Sequence, residues 1–481
     1  MSELTNKLRK YIKGNPDIMI EKDDYDTTIV DAKTGDLYAN IYFSDDGSFS
    51  GFEIDPYNEE EGQEEEESPP HTPLSEREIA DFLQKGDQFV ADFLTAPVEF
   101  GMFSEWLENS YIMIYEEIDQ KLDIPIPHTG CTLYFNRKGE ITSANLGHQR
   151  YMLEYPNVTI TNEEAKAIFL HASVIELVIQ AEGDGNVELI YRMNPAYIGV
   201  KVNGEIDNVL EFMGAEEIPV YPLKETVVKE SIETMLGITN DFVMFKDDGE
   251  SKLWVEKDIF DAAEDTEEIV HKVSTFEDET GFFIESNVVW EKSDTPLSLE
   301  VLQEQAISFL ESVVGDVHTK YCLEEPQHNE DELTEEDSEI ILEVEDLDDL
   351  EMDDDFFPSE PTQMFTFQRY HKGMKIESYD IYIHVGLFTG IIRECSGSKL
   401  NESQLQALNI KPSIPLEEVE ERFFQEIDLK LTRCVKDFDD TSVYTLSFTV
   451  DYPGEMGAIE KINAHTGRVT YVDTGIIRET L

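Results

Sequence analysis

Histidine, cysteine and aspartate are the residue types here whose spacing could support catalysis or metal binding. The ten histidines and four cysteines form no H-E-x-x-H, H-x-H or C-x-x-C motif, so a zinc site has no local ligand set. The aspartates at 23–26 and 348–355 offer oxygen ligands, yet neither run has the glycine and closing glutamate of a calcium-binding loop. No G-x-S-x-G elbow or catalytic-cysteine signature is present, and the 105 acidic residues make any chosen acid–base pair arbitrary. The sequence therefore favours a protein without catalytic activity, metal or cofactor.

Short Thr-Gly segments are the most specific local pattern in the chain. Glycine at the end of such a segment supplies the positive φ of a tight hairpin, and the β-branched or aromatic residues around it build paired strands. No glycine stands in a phosphate-binding motif, so the segments are interpreted as structural turns. The Thr-Gly segments end at Gly35, Gly281, Gly390 and Gly467, with looser versions at Gly139 and Gly204.

The net charge of −69 restricts the class of partner. A nucleic acid or an anionic membrane would be repelled over the whole approach, which makes either an improbable ligand. Basic proteins and peptides are favoured instead. The alternative is that the charge serves solubility alone and selects no partner.

The sequence predicts a cytoplasmic protein. Its first residues, MSELTNKLRKYIKGNPD, interrupt every apolar run with polar side chains, unlike a secretory signal. No stretch is long and apolar enough to span a bilayer. The cysteines at 131, 322, 395 and 434 are far apart, as expected of buried thiols in a reducing compartment. The oligomeric state is not indicated by any pattern.

The chain repeats one series of helix signals, strand runs and turns, from Met1 to about Ala215 and from Leu223 to about Gly475. The clearest anchors are the two Thr-Pro-Leu-Ser segments ending at Ser75 and Ser298, each followed by apolar residues at helical spacing. We therefore predict an α+β protein of two tandem repeats, in which helices pack on antiparallel sheets. The predicted boundaries are 1–56 (helix and strand cluster), 57–73 (acidic linker), 74–215 (helix, meander and second half of the first repeat), 223–293 (helix and strand cluster) and 294–481 (helix, meander and second half of the second repeat).

An acidic insertion at 324–361 interrupts the second repeat and differs from the linker in its apolar content. Apolar side chains among carboxylates are typical of segments that fold upon a partner, although an edge strand or short helix docked on the same protein is the structural alternative. The candidate partner-binding residues are Ile340, Ile341, Leu342, Leu347, Leu350, Phe356 and Phe357.

Two local features favour structure over binding. Thr161 and Glu164 form a capping-box pattern at the start of a predicted helix whose apolar residues should pack on the following strands. Trp254 and Trp290 could line a peptide or carbohydrate groove, but tryptophans in strand runs more often fill a core, and the core interpretation is favoured.

The second half of each repeat resembles the PepSY-type half of the YcdB/YcdC repeat proteins. The resemblance rests on the helix containing Thr161 to Ala165, on the strand runs 187–191 and 197–204, and on their counterparts at 415–424, 443–450 and 458–467. It implies units in which a helix covers an antiparallel sheet. It contributes no catalytic residue, and members of that family look exported, unlike this chain.

The combined interpretation is a non-catalytic, cytoplasmic protein that binds a protein or peptide and regulates it, for example by restraining a peptidase. An antiparallel sheet with an open edge can accept an extended peptide as an added strand. A solubility or stress protein without a dedicated ligand is one alternative, and a hydrolase built from dispersed carboxylates is another. Close, buried carboxylates in a concave pocket would favour the hydrolase, whereas an exposed apolar sheet edge or groove would favour binding.

Overall fold

The computed structural model describes residues 2–22, 26–44, 46–54, 72–147, 150–181, 187–257, 271–278, 280–290, 295–326, 360–438, 440–453 and 457–479. Most of the predicted acidic linker and of the predicted acidic insertion therefore lies outside the described residues. The same is true of all seven candidate partner-binding residues, Ile340, Ile341, Leu342, Leu347, Leu350, Phe356 and Phe357.

The N-terminal region folds into a sheet with one long helix on it. Its elements are the helix Ser2–Leu8, the 3-10 turn Arg9–Tyr11, β1 (Ile18–Lys22), β2 (Thr27–Asp31), β3 (Leu37–Phe43), β4 (Phe49–Ile54), the helix Glu76–Phe93, β5 (Val98–Leu107), β6 (Ser110–Asp119), β7 (Ile124–Asn136) and β8 (Ile141–Gly147). The strands lie in the antiparallel order β1-β2-β3-β4-β8-β7-β6-β5, which we call the first sheet.

The helix Glu76–Phe93 begins where the sequence predicts. The Ser75 N–H donates to the Glu78 carboxylate at 2.8 Å, and the Glu78 N–H donates back to the Ser75 hydroxyl at 3.3 Å, which completes a capping box. Hydrogen bonds from Ser75, followed by the Arg137 guanidinium, lower the pKa of Glu78 to about 2. Gly86 lets the helix approach the sheet, because a Cβ there would stand 2.3 Å from the Met113 sulfur. The buried face of the helix packs on a core that includes Phe52, Phe82, Phe89, Phe103 and Phe135.

A middle segment follows the first sheet. It contains β9 (Met152–Leu153), the helix Asn162–His171, β10 (Ile175–Ala181), β11 (Val187–Met193), β12 (Tyr197–Lys201), β13 (Ile206–Asn208), the short helix Val209–Phe212 and β14 (Val220–Pro222). The predicted capping box is present, since the Thr161 N–H donates to Glu164 at 2.8 Å and the Glu164 N–H donates to the Thr161 hydroxyl at 3.2 Å.

The next region forms a second sheet. It contains the short helix Ile232–Met235, β15 (Phe242–Asp247), β16 (Ser251–Glu256), β17 (Lys272–Glu277), β18 (Gly281–Ser286), the helix Leu299–Val314, the short helix Val317–Lys320, β19 (Tyr321–Glu324), β20 (Thr362–His371), β21 (Met374–Glu377), β22 (Ile381–Gly386) and β23 (Ile392–Ser398). Its strands pair in the order β15-β16-β17-β18-β23-β22-β20-β19, which we call the second sheet. The helix Leu299–Val314 covers one face and packs on a core that includes Leu302, Phe309, Leu310, Phe365 and Ile383.

The two sheets have corresponding strand orders. Four consecutive strands come first in each, and the last four return in reverse sequence order beside the fourth, which leaves β5 and β19 in equivalent places. The fold is thus a mixed α+β architecture of mostly antiparallel sheets with few helices. No described helix is both long and apolar enough to cross a membrane.

The final region supplies the helix Glu402–Ala407, the helix Leu416–Glu426, β24 (Asp428–Val435), β25 (Val443–Asp451), β26 (Ile459–Asn463), β27 (Val469–Tyr471) and β28 (Ile476–Glu479). β24 to β27 form two sheets with strands of the middle segment, in the orders β10-β11-β26-β27 and β13-β12-β25-β24. One core joins both segments and includes Ala165, Phe169, Val419, Phe423 and Leu429. We call the part built from residues 152–213 and 401–472 the exchange module.

Strands outside the exchange module complete the edges of the two sheets. β14, which lies just after the boundary between the halves, pairs with β19 of the second sheet, and β28, at the end of the second half, pairs with β5 of the first sheet. The outer edges of β5 and β19 are therefore occupied by strands of the same chain.

The Thr-Gly turns follow the predicted mechanism at three of four positions. Gly35, Gly390 and Gly467 have φ values of 79°, 70° and 71°. Gly281 does not have a positive φ, and glycine is required there for a different reason. A Cβ on Gly281 would stand 2.8 Å from the carbonyl oxygen of Gly397 on the adjacent strand, so the spacing of β18 and β23 leaves no room for a side chain.

Candidate binding face of the second sheet

The two faces of the second sheet differ in what covers them. Side chains alternate between the faces of a strand, so Ile284, Cys395, Ile383 and Phe365, which are paired across four neighbouring strands, all point into the core under the helix Leu299–Val314. The residues before and after them point to the opposite face, which we call the outer face. Large side chains there remain substantially accessible to solvent.

Three aromatic side chains cross the outer face in one row. Phe276 lies opposite Phe283, Phe283 opposite Ser396, and Ser396 opposite Tyr382. The exposed fractions are 44% for Phe276, 38% for Phe283 and 41% for Tyr382. Phe276 and Phe283 are one strand spacing apart, and Tyr382 lies two strand spacings, about 10 Å, beyond Phe283. We call these three residues the aromatic row.

Two glutamates lie beside the aromatic row. Glu285 and Glu394 are directly opposite each other on β18 and β23, two residues along their strands from Phe283 and Ser396. That separation is about 7 Å along a strand. Glu285 accepts a hydrogen bond from the Asn287 amide at 2.9 Å, and within the described residues neither carboxylate lies in an ion pair. We call Glu285 and Glu394 the acidic pair.

A second row of side chains runs beside the aromatic row and contains the acidic pair. Met364, 45% exposed, lies opposite His384, which in turn lies opposite Glu394. On the other side of Tyr382, burial raises the pKa of Asp380, although Lys375 at 3.6 Å opposes that rise. Burial also raises the pKa of Tyr382, and the nearby Asp380 carboxylate adds to the effect. The outer face thus presents aromatic surface beside the Glu285 and Glu394 carboxylates, whereas the Asp380 side chain is mostly buried.

Two buried carboxylates, Glu360 and Asp119, are held by arginine side chains. Glu360 accepts hydrogen bonds from the Phe388 and Thr389 N–H groups at 2.9 and 2.8 Å and from the Arg393 guanidinium, which fixes the start of β20. Asp119 accepts from Arg433 at 2.6 Å, where both side chains are almost fully buried. Because each carboxylate is bound by an arginine, neither offers a free base of the kind that hydrolysis needs.

The cysteines and clefts give no sign of chemistry. Burial raises the pKa of Cys131 to about 12 and that of Cys434 to about 11, so both remain thiols at neutral pH. Within the described ranges, no three His, Cys, Asp or Glu side chains are placed to hold a metal ion. Two shallow clefts of about 460 and 430 Å³ are lined by residues around His465 and around Phe93. Neither contains Asp119 or Glu360.

The aromatic row was not among the residues predicted from the sequence to bind a partner. Of the two tryptophans predicted to fill a core, Trp254 packs against the core of the second sheet, and Trp290 stacks on Phe388 with ring centroids 5.6 Å apart. A usable signal was present, because Phe282 and Phe283 are adjacent in a strand run. Adjacent large apolar residues must point to opposite faces of a strand, so one of them is outside the core unless both faces are covered.

No family model and no curated protein matches this sequence. Among solved structures, the Bacillus megaterium YpeB C-terminal domain is similar to it at 16% identity and a TM-score of 0.27, over 42% of this chain and 92% of that chain. This weak likeness does not bear on function.

Proposed function

We propose that the protein is a non-catalytic protein- or peptide-binding protein whose outer face on the second sheet binds a basic, partly apolar segment of its partner. The observation that carries this proposal is the aromatic row, exposed beside the acidic pair. Exposed aromatic side chains provide a large contact area at little entropic cost, and contiguous exposed apolar surface marks interaction sites.

Charge complementarity supports a basic partner. The chain carries a net charge of −69, and Glu285 and Glu394 place two carboxylates beside the aromatic row. Lysine and arginine side chains of a partner would be attracted to these carboxylates, while their aliphatic stems and guanidinium planes pack on aromatic rings. The same charge opposes a nucleic acid or an anionic membrane.

The outer face suits a partner better than the sheet edges do. β28 and β14 already occupy the outer edges of β5 and β19. The edge strand β15 pairs with β16 through an irregular register between Met244 and Lys246, and both a bulge and a lysine discourage addition of a further strand. Binding across the face therefore has more support than strand addition.

We also propose that the chain is a tandem duplication with PepSY-like second halves, located in the cytoplasm. The corresponding strand orders of the two sheets support the duplication. The four cysteines are free thiols, which supports a reducing compartment. Regulation of the bound partner is the proposed consequence. Partner binding by the seven apolar residues of the insertion, from Ile340 to Phe357, remains a separate prediction.

Peptide binding measured by fluorescence anisotropy tests this proposal. We expect a labelled peptide of alternating Lys and Leu to bind, and matched Glu/Leu and Lys/Ser peptides to bind far more weakly, because both charge and apolar contact are required. Phe283→Ser with Tyr382→Ser should weaken binding at least tenfold, since burial of each such side chain contributes roughly 1.5–3 kcal/mol.

The matched control is Tyr42→Ser, because Tyr42 is exposed on the first sheet and is the register equivalent of Phe276. It should leave the affinity unchanged. Absence of binding by the Lys/Leu peptide, or equal losses in the control and the double variant, would contradict the proposal. If the Lys/Leu peptide does not bind, a solubility function without a dedicated ligand would explain the acidic surface better.

A further inference from the structure

The two halves of the chain pair with each other throughout the exchange module. In the sheet β10-β11-β26-β27 the first two strands come from the first half and the last two from the second half. In the sheet β13-β12-β25-β24 the first half supplies β12 and β13, its later strand pair. The second half supplies β24 and β25, its earlier strand pair. Each half therefore gives one strand pair to each sheet.

Specific contacts hold this arrangement across the boundary between the halves. Ile190 lies opposite Asn463 on β11 and β26, and Val200 lies opposite Phe448 on β12 and β25. The Tyr191 hydroxyl donates to the Ile414 carbonyl at 3.0 Å. Further bonds run from Lys461 to Gln180 at 2.9 Å, from the Ser447 hydroxyl to the Val200 carbonyl at 3.1 Å, and from the Ala464 N–H to the Leu189 carbonyl at 2.8 Å.

We infer that each half of the chain is the obligate binding partner of the other, so that the protein is a two-part assembly joined by an exposed connection. The two strands β11 and β25 each present an edge that is completed only by the opposite half. Because the helices Asn162–His171 and Leu416–Glu426 share one core, neither half contains the whole core of the exchange module, although each sheet has a core of its own. The connection itself contributes little, since Glu216 and Glu217 are exposed.

Gly199 makes the inference testable at one position. A Cβ on Gly199 would stand 2.1 Å from the carbonyl oxygen of Phe448, which belongs to the other half. Gly51 is a matched position within one half, because a Cβ there would stand 2.2 Å from the carbonyl oxygen of Ala144 on the neighbouring strand of the first sheet. Neither glycine has a positive φ, so an alanine at either position is opposed by steric contact alone.

The experiment uses the full chain with a protease site inserted between Glu216 and Glu217. After cleavage, we expect the two fragments to elute as one species on size exclusion and to separate only when the protein unfolds, even at low salt, where the net charge of −69 favours separation. In the cleaved Gly199→Ala protein the concentration at which the fragments separate should rise roughly tenfold or more, because overpacking weakens the contact between halves.

In the cleaved Gly51→Ala protein the first sheet should be less stable to denaturant, while the fragments stay together as in the parent. Separation of the cleaved parent under native conditions would overturn the inference. So would an equal effect of the two alanine variants on fragment association, because that result would show a general loss of stability and no specific pairing between halves. If Gly199→Ala does not fold, Lys201→Cys with Ser447→Cys, at positions opposite each other across the halves, should link the two cleaved fragments through a disulfide when oxidised glutathione is added as the oxidant. Fragments that stay unlinked would overturn the inference.

Discussion

The first and second sheets have corresponding strand orders but different outer faces. At equivalent positions in the strand register, Gly51 and Thr132 of the first sheet correspond to Phe283 and Tyr382 of the second. The inner faces of both sheets are apolar because they pack under a helix. On the outer faces, Tyr42 of the first sheet is an exposed aromatic like its equivalent Phe276, and at Gly51 the Ala144 carbonyl oxygen leaves no room for a side chain. The outer faces therefore differ in that only the second sheet has an aromatic side chain at all three positions of the aromatic row.

The sheets also join the exchange module in different ways. At the second sheet, β21 pairs in parallel with β10 of the exchange module, and Ile376 lies opposite Ile179. At the first sheet, contact with β24 depends on a buried ion pair between Arg433 and Asp119, to which the Tyr155 hydroxyl also donates, at 3.0 Å. The second-sheet junction thus combines backbone pairing with a partly exposed ion pair of Arg192 with Glu176 and Glu377, whereas the ion pair at the first-sheet junction is buried.

The largest effect on stability that we expect comes from breaking the buried ion pair between Arg433 and Asp119. Arg433→Met should lower the free energy of unfolding by about 3–5 kcal/mol, because it leaves Asp119 buried without its partner. The matched control is Arg192→Met at the other junction, where Arg192 pairs with Glu176 at 2.8 Å and is partly exposed, and where a loss of at most about 1 kcal/mol is expected. Urea denaturation measures both values. Equal losses would show that the two junctions do not differ in the way described.

The same ion pair predicts sensitivity to acid. Burial alone would raise the pKa of Asp119, but hydrogen bonds from Arg433 and from the Lys121 N–H hold it below its ordinary value of 3.8. The stabilisation is therefore complete above that pH and is lost as the pH falls through the lower pKa of the folded protein. The difference in stability between the parent and Arg433→Met should shrink as the pH is lowered from 5 to about 3. A constant difference would contradict this assignment.

A smaller effect is expected at the acidic pair. Like charges directly opposite across two strands are destabilising, so Glu394→Gln should raise the free energy of unfolding by roughly 0.2–1 kcal/mol while weakening binding of the Lys/Leu peptide. The converse change, Ser143→Glu, places a glutamate opposite Glu53 at the equivalent position of the first sheet and should destabilise by a similar amount. Loss of stability in Glu394→Gln would indicate a structural role for this carboxylate.

The smallest effect on stability is expected from the insertion, which has no counterpart in the first sheet. Deleting Glu330 to Pro358 keeps Glu360 and its hydrogen bonds to the β22–β23 turn, so the thermal transition should move by less than about 2 °C. A large decrease would show that the insertion is a packed structural element. If the shortened chain also binds the Lys/Leu peptide normally, Ile340, Leu350, Phe356 and the related side chains are not needed for this binding.

Elements with local signals could be predicted from the sequence, and long-range pairings could not. The two Thr-Pro-Leu-Ser segments precede the helices Glu76–Phe93 and Leu299–Val314, and the capping box at Thr161 forms, because helix starts are encoded by residues three positions apart. Strand exchange between the halves has no such signal. β26 carries the alternation of a strand whichever neighbour it pairs with, and its position beside β11 depends on contacts such as Ile190 with Asn463, which are far apart in the sequence.

The aromatic row could not be predicted from the sequence for a related reason. Alternation predicts that Phe282 and Phe283 point to opposite faces, but the position of the covering helix decides which one is buried. The buried Arg433 was equally unforeseen, since its partner Asp119 lies in a different sheet. Both features depend on how distant elements pack, which spacing along the chain does not specify.

The central claim is that the outer face of the second sheet binds basic segments and the equivalent face of the first sheet does not. Photo-crosslinking tests it most directly: benzoylphenylalanine is placed at position 283 in one chain and at position 42 in another, and each is irradiated with the labelled Lys/Leu peptide. We expect peptide linked at position 283, a yield that falls as salt screens the carboxylates, and only background at position 42. Equal yields at the two positions, or none at position 283, would contradict the claim.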